Sequence, residues 1–377
     1  MRVCSLNSVK ERIVLGQPLA FSVRDSSRLL LLARGQVIAN QDQLDELFKR
    51  GALVEVEELA AAIQPARRPD AEQRLSRLPA DWERAGHELR SALMAPQAQM
   101  LAAVQGSTDG LLSLIEAAPD VALAQIVRQG DSADSHYGVR HSLHAATACH
   151  AAARYLGWSG DEQRRAFQAA LTMNVSMLDL QAKLASQVSP PTAMQREAIH
   201  EHPTRSAEML GEAGVEDADW LAAVRQHHEL PDGSGYPHGL REVAELAELL
   251  RFADVYTARL SSRANRPAMS AMQAGRELHQ MSASSPLATA LIKAFGIFPP
   301  GSLVKLASGE LSLVVRNGEK AHCPIVATLT DAHGEPRMKP LLRDCSREAF
   351  AIAALLPAHA LPMRLSEERI ARLVGAA

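Results

Sequence analysis

The chain has 377 residues, and its 40 lysine and arginine side chains nearly balance 43 carboxylates, leaving a net charge of −3. That length suits two or three domains, and the balanced charge argues against a binding surface for DNA or RNA. The four cysteines form no Cys-x-x-Cys pair, so we expect reduced thiols rather than a disulfide framework. No stretch reaches the roughly 18 apolar residues of a membrane span, and the N-terminus lacks an apolar signal core. The sequence therefore predicts a cytoplasmic protein without a membrane span.

Residues 1–62 predict a small α+β module. Short apolar runs alternate with turn-forming residues, which favours strands over 13–15, 19–23, 29–32 and 36–38. Leu44, Leu47 and Phe48 then recur at helical spacing, which predicts a helix over 41–50. Residues 63–84 are rich in proline, arginine, aspartate and glutamine, a composition typical of a linker.

Residues 85–297 predict an all-helical domain. Alanine is abundant there, apolar residues recur at intervals of three and four, and glycine and proline cluster only between the periodic stretches. Ser159 precedes a run of helix formers and is a candidate N-cap, with Asp161 and Glu162 in the first turn complementing the helix dipole.

Residues 298–377 change character after Phe298-Pro299-Pro300-Gly301. Short β-like runs over 302–306, 311–315 and 325–329 predict a small antiparallel module, which ends in a helix over 366–374. The expected fold is therefore mainly α: a helical bundle flanked by a small N-terminal α+β module and a small C-terminal β module.

The richest motif is His227-His228-Glu229 followed by the turn Asp232-Gly233-Ser234-Gly235-Tyr236-Pro237. Two adjacent imidazoles before a sharp turn place nitrogen ligands at a helix end, as a metal site requires. Glycines at 233 and 235 allow positive φ, so the chain can reverse and present Tyr236.

This string resembles the signature of HD-GYP proteins, the branch of the HD phosphohydrolase superfamily associated with cyclic di-GMP breakdown. The resemblance extends over roughly 118–300 and includes further motifs in the family's order. His141 in Arg-His-Ser-Leu-His looks like the family's first metal histidine, and His202-Pro203 looks like its His-Pro pair. Asp254 resembles the closing aspartate ligand. Arg263 and Arg266 fall where the family carries basic residues that contact the dinucleotide.

The His-Asp-x-Gly-Lys motif of that family is absent. Its helix begins Ala-Ala-Leu in the family, and Ala169-Ala170-Leu171 is present here. Counting without a gap to His202 puts Met173 at the histidine, Asn174 at the aspartate and Met177 at the lysine.

The resemblance implies a weakened metal centre. In the family the motif's aspartate bridges two metals that activate water, whereas Asn174 offers a neutral amide and Met173 a thioether suited to soft metals. We therefore expect at most one divalent ion, iron, manganese or zinc, or none. Its candidate ligands are His202, His227 and His228, with His141 and Asp254 as further candidates.

Three functions stay open. The ligand loss favours a degenerate domain that binds cyclic di-GMP, a related dinucleotide or a partner protein without hydrolysis. A metal-dependent phosphodiesterase with a modified site is the alternative, and a scaffold without a ligand is another, so enzyme activity is left open. In the family the loop matching Gly235, Tyr236 and Pro237 is implicated in contacts with diguanylate cyclase domains, which makes it a candidate partner surface. A homodimer is also left open.

Overall fold

The computed structural model describes residues 3–55, 58, 71–128, 137–282, 284–357, 360–361 and 365–376. The chain folds as two compact units, Met1–Gln73 and Arg74–Ala377. The fold is mainly α, with a small antiparallel sheet near each end of the chain, as the sequence predicted.

The first unit contains a four-stranded antiparallel sheet with the order β1-β4-β2-β3. Its elements are β1 (Val3–Ser5), a 3₁₀ helix (Leu6–Arg12), β2 (Val23–Arg24), β3 (Leu30–Leu32), α1 (Gln41–Lys49) and β4 (Leu53–Glu55). Helix α1 confirms the predicted helix, and it begins where the Asn40 side chain accepts a hydrogen bond from the Gln43 amide at 2.9 Å.

Two of the expected strands in this unit, 13–15 and 36–38, were wrong, and the run 19–23 joins the sheet only at Val23. Leu19 and Ile38 are buried in the core, but only an isolated bridge links Pro18 and Val37. The spacing of apolar residues predicts which side chains are buried. Here residues of irregular backbone are buried without belonging to a strand.

The second unit is built largely of helices. In chain order, beginning at its boundary, they are α2 (Ala71–Leu93), α3 (Gln97–Ala117), α4 (Pro119–Val127), α5 (Tyr137–Leu156), α6 (Gly160–Thr172), α7 (Leu178–Ser186), α8 (Ala193–Glu212), α9 (Ala218–Gln226), α10 (Glu245–Leu260), α11 (Ala271–Met281) and α12 (Pro286–Phe295). Ser159 caps α6 as predicted: its hydroxyl accepts from the Glu162 amide, and the Glu162 carboxylate accepts from the Ser159 amide.

The expected linker over 63–84 needs a correction. Residues 71–84 lie in α2, while 63–70 fall outside the described residues. Leu78, Trp82 and Leu89 are buried at helical spacing on α2, so a periodic apolar face outweighs the linker-like composition, including Pro79 within the helix.

Helix α5 lies at the centre of the bundle and is buried along most of its length. Its alanines 145, 146, 148, 152 and 153 are fully buried, and their small side chains let α6, α7, α10 and α12 approach closely. Phe167 and Phe252 fill the surrounding core, and Tyr256 packs edge-on against Phe295.

A five-stranded antiparallel sheet with the order β8-β7-β6-β5-β9 follows the bundle. Its strands are β5 (Leu303–Leu306), β6 (Leu311–Arg316), β7 (Ile325–Thr328), β8 (Leu342–Asp344) and β9 (Ile352–Leu356), and helix α13 (Glu367–Gly375) comes after them. The three predicted strands and the final helix are confirmed. The strands that the sequence did not predict, β8 and β9, form the two edges of the sheet and are only partly buried.

Among the described helices, none is by itself both long and apolar enough to cross a membrane. Helices α3 and α4 meet the length and composition limits only as a pair, and the chain bends by 102° between them.

Gly138, in the first turn of α5, allows α7 to pack closely: a Cβ there would lie 2.7 Å from the Leu178 carbonyl oxygen. We expect Gly138→Ala to lower the free energy of unfolding by about 1–3 kcal/mol. The added methyl group would clash with backbone atoms of Leu178, which cannot rotate away as a flexible side chain could. Gly110 in α3 has open space around its Cβ direction and serves as the control. Gly110→Ala is expected to be neutral or to stabilise by up to about 1 kcal/mol. Equal denaturant midpoints for the two variants would contradict this close packing.

Candidate metal centre

Three imidazoles meet between helices α8 and α9. His202 lies on α8, His227 is the C-cap of α9, and His228 follows it directly. One nitrogen from each ring lies within 4.8 Å of one from each of the others, and His202 and His227 are buried while His228 is half-buried. The structure thus brings together the three histidines that the sequence grouped as metal ligands.

Hydrogen bonding shows which nitrogens of this cluster are free to bind. His202 Nδ1 lies 2.5 Å from the carbonyl oxygen of Ile199, and His227 Nδ1 lies 2.7 Å from that of Val224. A carbonyl oxygen can only accept, so each Nδ1 carries the hydrogen and each neutral ring keeps a lone pair on Nε2. These two Nε2 atoms face each other at 3.1 Å.

Two lone pairs at that distance repel unless a cation or a proton lies between them. Burial, together with the neighbouring His227, lowers the pKa of His202 to about 3, and burial lowers the pKa of His227 as well. A shared proton is therefore disfavoured near neutral pH. The donor set of this cluster fits one divalent transition-metal ion, with the carbonyl contacts orienting the rings.

The other two predicted ligands contact each other. His141 on α5 and Asp254 on α10 form a hydrogen bond of 2.7 Å between Nε2 and Oδ1, in which the imidazole donates. Burial would raise the pKa of Asp254, but the hydrogen bond from His141 and nearby histidine charge hold it well below its ordinary value. Asp254 is thus an anion whose charge His141 already engages.

A cavity of about 190 Å³ separates this pair from the histidine cluster; we call it the central cavity. Its walls include His141, Asp254, His202, His228, Asn174, Met177, Tyr236 and Arg263. Asn174 is buried, and neither atom of its amide has a hydrogen-bond partner among the described residues. Buried polar groups are rarely left unpaired, and this one lies in the wall of the central cavity. Met173 is fully buried in the hydrophobic core.

The loop after the two histidines is held by Glu229, a member of the motif for which the sequence predicted no separate role. Its carboxylate is buried and accepts hydrogen bonds from the His238 amide at 2.8 Å and the Leu240 amide at 2.9 Å. Gly233 has the expected positive φ, of 80°. Gly235 does not, and it is required for a different reason, since a Cβ there would lie 2.4 Å from the Leu230 amide nitrogen. In the sequence, the one indication that Glu229 has a structural role is its position directly after the two candidate ligand histidines.

Tyr236 lies on the cluster. Its ring stacks on His228 with centroids 4.6 Å apart and on His200 with centroids 5.4 Å apart, and it is half-buried. Burial raises the pKa of its hydroxyl, so the phenol stays protonated. The ring thus closes one wall of the central cavity. A partner surface at Gly235, Tyr236 and Pro237 stays a prediction.

The two arginines that the sequence paired have different surroundings. Arg263 lines the central cavity and donates from Nε to the Tyr137 hydroxyl at 3.1 Å. Arg266 instead donates from Nη2 to the Ala258 carbonyl oxygen at 2.5 Å, which ties it to the end of α10. Tyr137, which the sequence analysis did not consider, stacks on His141 with centroids 5.9 Å apart. It therefore links Arg263 to the His141–Asp254 pair.

Comparison with known proteins shows which class of domain this part of the chain resembles. Residues 124–286 match the family model of the HD domain. A cyclic di-GMP phosphodiesterase of Pseudomonas aeruginosa is 28% identical over 254 residues, which are 66% of this chain and 61% of that protein. A 3′3′-cGAMP-specific phosphodiesterase of Vibrio cholerae is 27% identical over 156 residues, 40% of this chain and 35% of that protein. The chain thus spans only part of the length of each relative.

A solved structure of an HDG"Y"P protein from Bdellovibrio bacteriovorus has a TM-score of 0.48 with 16% identity, covering 77% of this chain and 97% of that one. The family model identifies an HD domain over residues 124–286, within the range that the sequence motifs indicated, and both sequence relatives are phosphodiesterases of cyclic dinucleotides. HD domains are metal-dependent, and the three-histidine cluster lies within the matched residues.

Proposed function

We propose that this protein binds a cyclic dinucleotide, cyclic di-GMP or a close relative, and hydrolyses it slowly or not at all. The observation that carries the proposal is the position of Asn174, a neutral amide on the wall between the His141–Asp254 pair and the three histidines. The activities of the two phosphodiesterase relatives support the choice of ligand class.

The loss of hydrolysis follows from charge. Two-metal phosphodiester hydrolysis relies on ions that clamp the attacking and leaving oxygens, and an anionic carboxylate is needed to hold two cations together. Asn174 has no charge, and His141 and Asp254 bond to each other. These residues do not fit a second ion, whereas His202, His227 and His228 fit one. An ion held there supplies Lewis acidity and an anchor for a phosphate oxygen.

A groove beside the central cavity supplies the room for a dinucleotide. The cavity alone, at about 190 Å³, is smaller than the roughly 300–1,000 Å³ typical of small-molecule sites. The groove has about 600 Å³, shares Met177 and His202 with the cavity, and is also lined by Lys183 and Arg205. A ligand whose phosphate lies near His202 would extend into this groove, whose wall carries the cations Lys183 and Arg205 and the carboxylates Asp179 and Glu201.

The first prediction concerns turnover. The wild type is expected to convert cyclic di-GMP to the linear dinucleotide at least about 100-fold more slowly than a Met173→His, Asn174→Asp, Met177→Lys variant, since single charge-stabilising groups are worth about 10²–10³ in rate. The assay follows product with excess Mn²⁺ or Fe²⁺. Circular dichroism checks the fold of the variant, because Met173 is fully buried. Rapid conversion of cyclic di-GMP by the wild type would contradict the proposal, regardless of the rate measured for the variant.

The second prediction concerns metal content. The protein is expected to hold at most one transition-metal ion per chain, and His227→Ala with His228→Ala should remove it. The matched control is His200→Ala with His238→Ala, two neighbouring histidines outside the cluster, which should retain the ion. Elemental analysis after dialysis gives the ratio. A ratio near two, or retention of metal in the first variant, would show that the ligand set is different.

The third prediction separates the arginines. Arg263→Ala is expected to weaken cyclic di-GMP binding about tenfold, because a charge-assisted hydrogen bond contributes about 1.5–3 kcal/mol. Arg266→Ala should lower thermal stability more than affinity, since its side chain bonds to the Ala258 carbonyl. Exposed Arg241 provides a neutral control. Calorimetric titration measures all three variants. Unchanged affinity in Arg263→Ala would remove that residue from the site, and no heat from the wild type would favour a scaffold without a ligand.

A further inference from the structure

We propose a second ligand site on the opposite side of helix α5, built for a small organic acid with a compact apolar body. The site is a cavity of about 330 Å³, here called the distal cavity, and its walls include Ile115, Leu123, Thr147, His150, Arg154 and Asn317. It shares no lining residue with the central cavity, and the inference does not depend on the function proposed for that cavity.

The walls set the character of the ligand body. Ile115 on α3, Leu123 on α4, Ala151 on α5 and Ala294 on α12 present hydrocarbon from four helices. The volume lies at the lower end of the roughly 300–1,000 Å³ of small-molecule sites, so one or two rings or a short branched chain would fill it. A few polar groups among apolar walls fix the orientation of such a ligand.

His150 is the first of these polar groups. Its side chain is 3% exposed, and neither ring nitrogen has a hydrogen-bond partner among the described residues. Its ring meets Phe167 edge-on at 6.2 Å, which satisfies neither nitrogen. Buried imidazoles are normally paired, so this ring is the polar group of the cavity wall that the described part of the protein leaves unsatisfied. Burial lowers the pKa of His150 despite the opposing charge of Glu116, so the ring is neutral.

The charge of Arg154 in the cavity wall favours a ligand that carries a carboxylate. Arg154 lies one turn after His150 on the same cavity wall, and within the described part of the chain its guanidinium has no hydrogen bond or ion pair. The carboxylate in the wall, Asp120, is influenced by the cation of Arg316, which opposes the rise in pKa that burial causes. Arg154 therefore presents a cation without a hydrogen-bonded partner at this wall, and a guanidinium binds a carboxylate with two parallel hydrogen bonds.

The distal cavity and the candidate metal centre are connected by helix α5, which contributes residues to both. Thr147, His150, Ala151 and Arg154 follow helical spacing and share one face. His141 precedes His150 by about two and a half turns, which places it on the opposite face. A ligand in the distal cavity thus contacts the helix that carries His141, and through Asn317 it also contacts the C-terminal sheet region.

Calorimetric titration of the full chain with 1-naphthoate tests the site, with uncharged 1-naphthylmethanol and cationic 1-naphthylmethylamine as matched probes. We expect 1-naphthoate to bind most tightly of the three. Ala151→Leu, which fills the cavity, should reduce its affinity at least about tenfold, and Arg154→Gln should reduce it about tenfold without affecting the uncharged probe. Arg225→Gln makes the same exposed change away from the cavity and should leave binding unaltered.

Three results would overturn the proposal. One is the absence of 1-naphthoate binding to the folded wild type at millimolar concentration. Another is equal affinity in wild type and Arg154→Gln, which is decisive even if Ala151→Leu fails to fold, because Arg154 is exposed. Tighter binding of the amine would assign the charge selectivity to Asp120 instead.

Discussion

Close packing around helix α5 is the constraint on which both sites depend. Neighbouring helices can approach it because its fully buried positions are largely alanine. Because so much of this helix is covered, few of its polar residues reach water, and most of the buried ones face a protein partner or a cavity. His141 bonds to Asp254, whereas His150 faces the distal cavity. His144 has neither, and burial lowers its pKa to about 3, so it remains a neutral ring in the core.

The same packing divides the segment from Met173 to Met177 between the core and the cavity wall. Met173 joins the hydrophobic core, while Asn174, the next residue, turns to the central cavity wall. Met177 lies between the cavity and the groove and presents a thioether to both. Met173 packs in the core, where a polar side chain would have to be solvated or paired.

The sequence predicted those parts of the molecule in which apolar residues recur periodically or a recognisable motif is present. The helical bundle, the three inner strands and the meeting of His202, His227 and His228 all followed from spacing or from motifs. Edge strands β8 and β9 were missed because they are only partly buried, and half-exposed strands lack a clear apolar alternation. Tyr137 and Glu229 were missed because their roles depend on contacts: one stacks on His141, and the other holds the amides of His238 and Leu240. The different surroundings of Arg263 and Arg266 likewise come from tertiary structure.

The loop that carries Tyr236 is held by residues outside the segment 173–177. Its shape rests on the two hydrogen bonds that the buried Glu229 carboxylate accepts and on the close approach that Gly235 permits. The stack of Tyr236 on His228 then follows from the loop and from the histidine pair alone. Under the proposed function, binding and hydrolysis are separable, since the three imidazoles and the Tyr236 loop are positioned by segments other than the one that carries Asn174.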